Sequence, residues 1–256
     1  MASSVQTSPR IGKGVPPLRA GQGNSFFWRR LHSLSGIIPV GVFLTEHMIS
    51  NFAATNGPPA YNDTVKFLTS LPALIVLEWV GIFIPILFHA GYGIYIWWRG
   101  DNNVTDYPWQ GNWLYTLQRY TGIIVFAYIL FHTYTMRFTG VHLATHPDQA
   151  FKKVHDELLH PWAMAIYVIG VVTASWHFGY GIFLFCAKWG IATGERARKR
   201  VRAFGIAVAI LFMVLGLSSA YSFVNPKNQV PANSAASVNS STQSGMTQAP
   251  ATTDNQ

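Results

Sequence analysis

The sequence is poor in cysteine, and this excludes several kinds of site. Of its 256 residues only one is a cysteine, Cys186. A single thiol cannot form an intramolecular disulfide, a CxxC zinc site or a CxxCH attachment for a covalent haem. The sequence also has no dinucleotide-binding fingerprint and no cysteine cluster. We therefore expect neither a flavin nor an iron–sulfur cluster on this chain.

Charged residues are scarce as well, at 11% of the sequence, while half of the residues are hydrophobic and 14% are aromatic. Such a composition is too apolar for an ordinary soluble domain and favours a compact bundle in a membrane. The net charge of +8 does not indicate a nucleic-acid partner, because the cations cluster at the ends of the apolar stretches. We predict an all-α integral membrane bundle.

Five stretches of about 20 mostly apolar residues are long enough to cross a hydrocarbon layer roughly 30 Å thick. They cover residues 32–53, 73–98, 117–137, 161–187 and 203–224. Pro39 is expected to bend the first of them. The bundle would span residues 25–224, between polar tails at 1–24 and 225–256 that we predict to be disordered.

The basic residues predict the orientation of the bundle. If the N-terminus is cytoplasmic, thirteen of them lie on the inner side: Arg10, Lys13, Arg19, Arg29, Arg30, Arg99, Arg119, Lys188, Arg196, Arg198, Lys199, Arg200 and Arg202. The other five then lie outside: Lys66, Arg137, Lys152, Lys153 and Lys227. The positive-inside rule therefore predicts a cytoplasmic N-terminus.

Four histidines lie in four different apolar stretches, at His47, His89, His132 and His177. The intervals between them are 42, 43 and 45 residues, or one span and a short connection each. A histidine in hydrocarbon is costly unless its ring nitrogens have partners, and intramembrane ionisable residues usually serve function. One histidine on each of four helices points to a shared role, which we interpret as ligation of iron in two haems.

The depths of these histidines follow from the helical rise of about 1.5 Å per residue. His89 and His177 lie 10 and 11 residues from the basic residues at the inner boundary, at a depth of roughly 15–17 Å. His132 and His47 lie 13 and 17 residues from that boundary, at roughly 20–25 Å. Two levels of two imidazoles suit two stacked six-coordinate haems, the inner one on His89 and His177 and the outer one on His47 and His132. Without a CxxCH motif both would be non-covalent haem b.

Haem propionates need cations or hydroxyls near the membrane surface. Lys188, at the inner boundary beyond His177, is the first candidate. Further candidates are Arg30, His32, Ser33 and Arg119. We expect His32 to form a polar wall of the inner pocket and not to be a fifth axial ligand. The alternative for each of these residues is an interfacial side chain that merely reaches towards water.

Glu78 is the one carboxylate well inside the second stretch, about 9 Å from its start at Pro72. A carboxylate at that depth must be paired, solvated or protonated. We consider two roles for it: proton transfer to a quinone near the outer haem, or a structural bond to another span.

The connection 138–160 contains four further histidines together with three acidic residues: His142, His146, His155, His160, Asp148, Asp156 and Glu157. These residue types are typical of metal sites, but their spacing is irregular. We therefore favour a solvated loop over a metal site.

Four strings occur in an order that resembles a known family: FFWRRLHSLSGIIPVGVFLTEH, ILFHAGYGIYIWW, LQRYTG and SWHFGYG. They are similar to the five-helix, di-haem cytochrome b subunits of bacterial succinate dehydrogenases, the b558-type group that is also related to fumarate reductases. The resemblance covers about residues 25–224. It implies the same histidine pairs as the depths do, and a propionate contact for Lys188. Ser175 stands where some related fumarate reductases have a proton-carrying glutamate, so that pathway is not expected here.

The resemblance also implies a function and partners. The subunit would lie in the bacterial cytoplasmic membrane and anchor a flavoprotein subunit and an iron–sulfur subunit on the cytoplasmic face. Succinate would be oxidised on another chain. Electrons would pass from the iron–sulfur subunit through the inner and outer haems to, or from, a membrane quinone, either menaquinone or ubiquinone.

Three alternatives remain open at this point. The chain could be a di-haem anchor of another respiratory oxidoreductase. It could be a transporter that uses the intramembrane histidines as a proton relay, although no repeated half with interrupted helices is apparent. It could also be a structural anchor in which some of the histidines bind no metal.

Overall fold

A computed structural model describes residues 22–100 and 104–228, with side chains from residue 25 onward. Within these residues the chain forms helices and turns and no β-strand. Five helical segments are long and apolar enough to cross a membrane, and we number these spans one to five: Ser25–Asn56, Leu74–Arg99, Gln110–Phe138, Pro161–Lys188 and Glu195–Val224. The prediction of an all-α membrane bundle is confirmed.

The spans overlap the five expected stretches, and three of them are clearly longer. Spans one, three and five extend seven or eight residues further at their N-terminal ends. In span five these residues are the basic run after Gly194, which forms the first two turns of the helix. Arginine, lysine and glutamate are good helix formers, so the helix continues beyond the end of the apolar stretch. A boundary placed by hydropathy alone therefore underestimates the length of the helix. The expected tails fall mostly on residues 1–21 and 229–256, which lie outside the described residues.

Span one is interrupted at the proline that was expected to bend it. Its two α-helices are Gln22–Ile37 and Pro39–Phe52, and the proline occupies the first position of the second helix. This position is favourable for proline, since the first N–H groups of a helix have no partner within the helix. The break divides the span into an N-terminal half with His32 and a C-terminal half with His47.

Span two starts after Ala73, whose φ of 54° is left-handed. It contains a stretch of wider, π-helical turns at Leu77–Phe83 and continues as an α-helix over Ile84–Arg99. Pro85 has no N–H to donate to the preceding turn, which is consistent with irregular turns directly before it. His89 lies in the regular part of this span.

We call the end of the bundle that lies away from Ser25 the outer end and the opposite end the inner end. Both connections at the outer end contain a helix that the sequence analysis did not predict. These helices are Pro58–Thr69, between spans one and two, and Ala150–Leu158, between spans three and four. Tyr61, Phe151 and Phe223 pack together, with ring centroids 4.9–6.3 Å apart, and join both helices to the end of span five. Asn62 accepts a 2.8 Å hydrogen bond from the backbone N–H of Phe151, which fixes one helix against the other.

The histidine-rich connection is thus partly folded. His155 lies in its helix and forms a 2.6 Å hydrogen bond through Nδ1 with the backbone oxygen of Phe223. In the described ranges, no three histidine, cysteine or acidic side chains come together in a way that could hold a metal ion.

Lys153 connects the same helix to the end of span three. Its ammonium group donates three hydrogen bonds of 2.7–2.8 Å to the backbone oxygens of Met136, Thr139 and Val141. The last carbonyls of a helix have no partner within the helix, and a cation there is favourable. Lys153 therefore fixes the outer end of the span that carries His132.

We predict that Lys153→Met lowers the free energy of unfolding by about 2 kcal/mol, since hydrogen bonds to charged groups contribute about 1.5–3 kcal/mol. The matched control is Lys152→Met. The Lys152 side chain is 72% exposed and, among the described residues, pairs with Asp156 on its own helix, a contact expected to contribute less than about 1 kcal/mol. Thermal unfolding in detergent measures both variants, and equal midpoints for the two would contradict the capping role.

Spans four and five pack closely through two glycines. A Cβ atom on Gly179 would lie 2.3 Å from the backbone oxygen of Gly205, and a Cβ atom on Gly205 would lie equally close to that of Gly179. Small residues allow helices in a membrane to approach this closely. Ser175, one turn before Gly179, is fully buried. Span five thus supports the helix that carries His177.

Candidate functional site

The four intramembrane histidines form two facing pairs. The ring centroids of His89 and His177, on spans two and four, are 6.3 Å apart and their planes are nearly perpendicular, at 85°. The ring centroids of His47 and His132, on spans one and three, are 5.7 Å apart with an interplanar angle of 73°. We call these the inner pair and the outer pair. The structure brings together the same histidines that the depths predicted to share a level.

Both rings of the inner pair are oriented by a backbone carbonyl of a neighbouring span. His89 Nδ1 lies 2.9 Å from the backbone oxygen of His32, and His177 Nδ1 lies 3.2 Å from that of Gln118. A carbonyl oxygen only accepts hydrogen bonds, so each Nδ1 must carry the proton when this bond forms. The lone pair of each neutral ring is then on Nε2, the nitrogen that remains for a metal.

The two carbonyls belong to the same local arrangement, which occurs once in span one and once in span three. In HSLSG and QRYTG a carbonyl at the first position is followed by a hydroxyl at the fourth and a glycine at the fifth. The hydroxyls of Ser35 and Thr121 each lie 3.4 Å from the Nδ1 atom of the histidine concerned. A Cβ atom on Gly36 or Gly122 would lie 2.4 or 2.9 Å from Cε1 of that ring. We call this arrangement the glycine notch.

The two notches are 86 residues apart, from His32 to Gln118 and from Gly36 to Gly122. Each of them holds the histidine of the following span. The inner pair is therefore held on both sides by the same combination of a carbonyl, a hydroxyl and an absent side chain. The strings RRLHSLSG and LQRYTG contain these two notches.

The outer pair is held by side chains. His132 Nδ1 lies 3.1 Å from the phenol oxygen of Tyr167 on span four. The ring of His47 packs against Phe43, one turn away, with ring centroids 5.4 Å apart. The outer site is thus more aromatic than the inner site and depends less on the backbone.

His32 lies against one ring of the inner pair. Its ring stacks on His89 with a centroid distance of 4.1 Å and an interplanar angle of 13°. A ring stacked in parallel on His89 lies beside it, whereas His177 faces it. Its Nδ1 is buried and has no hydrogen-bond partner among the described residues.

Three of the other predicted propionate contacts gather at the inner end of the bundle. The Arg30 guanidinium lies 4.9 Å from the ring of Trp189, and Trp189 Nε1 donates a 3.0 Å hydrogen bond to Ser33 Oγ. Lys188 directly precedes Trp189 in the chain, and its charge is repelled by those of Arg29 and Arg30. In the described part of the chain, none of the ion pairs involves Lys188 or Arg30. A positive cluster without a carboxylate partner suits an anionic ligand.

Arg119 is not part of this cluster. Its Nη2 donates to the backbone oxygen of Gly100 at 2.7 Å and also to that of Trp97. It therefore binds the carboxyl end of span two, a position that favours cations. Its guanidinium thus donates hydrogen bonds to backbone oxygens, whereas Arg30 packs on the ring of Trp189.

Glu78 is paired with Arg137 at 2.7 Å. The carboxylate side chain is 18% exposed and the guanidinium 42% exposed, so the pair is only partly shielded from its surroundings. Arg137 lies at the outer end of span three, five residues beyond His132. The structure therefore brings Glu78 to the outer end of the bundle, in contact with another span.

Tyr167 and the two notches were not identified from the sequence. The notches carried a signal, since a serine or threonine followed by glycine occurs in the N-terminal part of both span one and span three, at Ser35 and Thr121. Tyr167 lies ten residues before His177, almost three helical turns further along span four, at a counted depth of roughly 30 Å from the inner boundary. This depth does not match the roughly 20–25 Å counted for the outer pair, so counting residues does not identify Tyr167.

These features define a class: a multi-pass helical membrane protein with a facing histidine pair at each of two levels. A family model described as Succinate dehydrogenase/Fumarate reductase transmembrane subunit matches residues 104–217. The chain is also 35% identical over 199 residues to the succinate dehydrogenase cytochrome b558 subunit of Bacillus subtilis (strain 168), which covers 78% of this chain and 97% of that protein.

The chain belongs to the succinate dehydrogenase/fumarate reductase transmembrane subunit family. It is the membrane subunit of an oxidoreductase complex, a multi-pass protein of the bacterial inner membrane, and oxidation of succinate takes place on other chains. The resemblance noted from the sequence strings is confirmed.

Proposed function

We propose that this chain binds two non-covalent haem b groups and passes electrons between the iron–sulfur subunit of a succinate dehydrogenase and a membrane quinone. The observation that carries the proposal is the pairing of the four histidines at two levels. The name of the Bacillus subtilis relative, a cytochrome b558 subunit, supports it. His89 and His177 would ligate the inner haem iron, and His47 and His132 the outer one.

The geometry of the pairs fits this role. An imidazole nitrogen lies about 2 Å from a metal that it binds, so two imidazoles on opposite sides of one metal have ring centroids roughly 6–6.5 Å apart. The inner pair, at 6.3 Å, agrees with this spacing, and the outer pair, at 5.7 Å, is within about half an ångström of it. Two neutral imidazoles are also a donor set that suits haem iron.

The surrounding residues would orient the ligands and bind the rest of the group. A hydrogen bond from Nδ1 fixes the ring, selects the tautomer and makes the other nitrogen a better donor. Lys188 and Arg30 would hold anionic propionates at the inner end, with His32 as a wall and Ser33 as a further polar contact. Arg119 is the weakest of these candidates, since the backbone already uses its guanidinium. When bound, the haems would supply one-electron transfer.

The partners follow from this arrangement. With a cytoplasmic N-terminus, as the distribution of cations predicts, the inner pair faces the flavoprotein and iron–sulfur subunits on the cytoplasmic side. The outer pair then lies nearer the opposite face, where we propose the quinone to react. The lipid bilayer surrounds the five spans.

Two roles for Glu78 are distinguishable by its variants. If it carries protons for the quinone, Glu78→Gln slows quinone reduction and changes its pH dependence, whereas Arg137→Met retains the carboxylate and a pH-dependent rate. If the 2.7 Å ion pair is structural, both variants lower the thermal midpoint alike and leave the shape of the pH–rate profile unchanged. Identical pH profiles in wild type and Glu78→Gln would reject the proton role.

The experiment that tests the proposed function is purification of the complex in detergent, followed by a succinate–quinone reductase assay and a reduced-minus-oxidised spectrum. We expect co-purification of a flavoprotein and an iron–sulfur subunit, succinate-dependent reduction of quinone and the absorption bands of b-type haem. A purified complex that lacks the b-type haem bands would contradict the proposal and favour a structural anchor whose histidines bind no metal.

A further inference from the structure

The inner and outer pairs differ in what their Nδ1 atoms contact. Both inner histidines contact backbone oxygens, which no substitution removes. On the outer pair, His132 contacts a side chain, the phenol of Tyr167 on the neighbouring span. This contact between His132 and Tyr167 is therefore one that a point mutation can remove without changing the ring that contacts the metal.

The phenol is well placed for a fixed hydrogen bond. Tyr167 is only 6% exposed, and its oxygen lies 3.1 Å from His132 Nδ1. A phenol oxygen can accept a hydrogen bond as well as donate one. When His132 uses Nε2 for a metal, its Nδ1 carries the proton, so Nδ1 donates this hydrogen bond to the phenol oxygen of Tyr167.

The packing of the phenol ring is separate from its hydrogen bond. The ring of Tyr167 packs edge-on against Tyr128, Phe131 and His132, with centroids 5.5–6.2 Å apart. A phenylalanine would retain these contacts and lose only the oxygen. Tyr128 serves as a control, because its ring also stacks on His132, with ring centroids 5.6 Å apart and an interplanar angle of 24°. The hydroxyl that contacts His132 Nδ1, however, belongs to Tyr167.

We propose that Tyr167 is a positioning residue that sets the reduction potential of the outer haem through its hydrogen bond to His132, an inference that rests on the proposed function. An Nδ1–H group that donates to an oxygen makes the imidazole a more basic ligand. A more basic ligand stabilises the oxidised iron. The bond therefore lowers the potential of the outer haem and leaves the inner haem unaffected.

The test is a redox titration of the intact complex, followed by the haem absorption, in wild type, Tyr167→Phe and Tyr128→Phe. His47→Ala, which removes an outer ligand, identifies the potential that belongs to the outer haem. In Tyr167→Phe we expect a shift of that potential to more positive values, equivalent to about a tenfold change in the reduction equilibrium, or about 59 mV for one electron. The inner potential and both potentials of Tyr128→Phe should match wild type.

The outcomes separate the two proposals. If the wild-type complex contains no b-type haem, the proposed function fails. If two potentials are present and Tyr167→Phe changes neither of them, the role of Tyr167 fails while the proposed function stands. The role of Tyr167 would also fail if Tyr167→Phe shifted the reduction potentials of both haems equally, or if Tyr128→Phe shifted the outer potential as much as Tyr167→Phe does. A general change in packing would then explain the result.

Discussion

Replacing His89 with alanine is expected to remove the inner haem and retain the outer one, so that the haem content falls from two per chain to one. The same loss is expected for His177→Ala, since the two rings face each other across 6.3 Å. The double variant should lose no more than either single one, because both residues serve one site. Haem-to-protein ratios from absorption of the purified complex measure this directly.

The control for the loss of an imidazole is His146→Ala. His146 lies in the connection between spans three and four and is exposed. This variant should retain two haems per chain. The combination of His47→Ala with His89→Ala should retain none, because it removes one ligand from each pair. One intact six-coordinate haem in that combination would show that the histidines are paired differently.

The second large effect is expected for Gly36→Ala, which adds a single methyl group in the notch of span one. The new Cβ atom would lie 2.4 Å from Cε1 of His89, closer than side-chain atoms approach one another. His89 must then move, and it loses the hydrogen bond to the backbone oxygen of His32 that orients it. Loss of such supporting contacts typically costs about 10–100-fold in metal affinity. We expect the inner haem to be depleted and the outer haem to be retained.

Gly91 on span two is the matched control for this substitution. A Cβ atom there would have no atom within 4 Å. Within a helix, alanine is more favourable than glycine by about 1 kcal/mol, so Gly91→Ala should be neutral or slightly stabilising. Difference spectra of the reduced complexes compare the two variants. Full inner-haem content in Gly36→Ala would show that the notch does not restrict the ligand.

The architecture was largely predictable from the sequence because the membrane imposes it. Hydrocarbon requires about 20 apolar residues for each span, and it makes a histidine at mid-depth conspicuous. For the same reason, counting residues from the basic boundary was enough to assign His89 and His177 to one level. The break at Pro39 followed from its missing N–H group.

The parts that could not be predicted depend on contacts between spans. The helix Ala150–Leu158 is short and polar on one side. It is held in place by two contacts with other parts of the chain: Asn62 accepts a hydrogen bond from its backbone, and its own Lys153 donates to the end of span three. The acceptors of the inner histidines are backbone oxygens, which leave no residue type to recognise. Tyr167 resembles any interfacial tyrosine until span four is packed against span three.

The charged candidates show the same limit. From the sequence, Arg30 and Arg119 were equivalent cations at the inner boundary. In the structure Arg30 lies over Trp189 near Lys188, whereas Arg119 binds the carboxyl end of span two. The identity of the partner depended on the rotation of each helix, which hydropathy does not determine.

The central claim is that two histidine pairs hold two haems in one chain, and the most direct measurement is the ratio of b-type haem to this polypeptide in the purified wild-type complex. The account predicts a ratio of two, with both haems low-spin and six-coordinate in the electron paramagnetic resonance spectrum. A ratio of one, or a high-spin signal from a haem with a single histidine ligand, would contradict it.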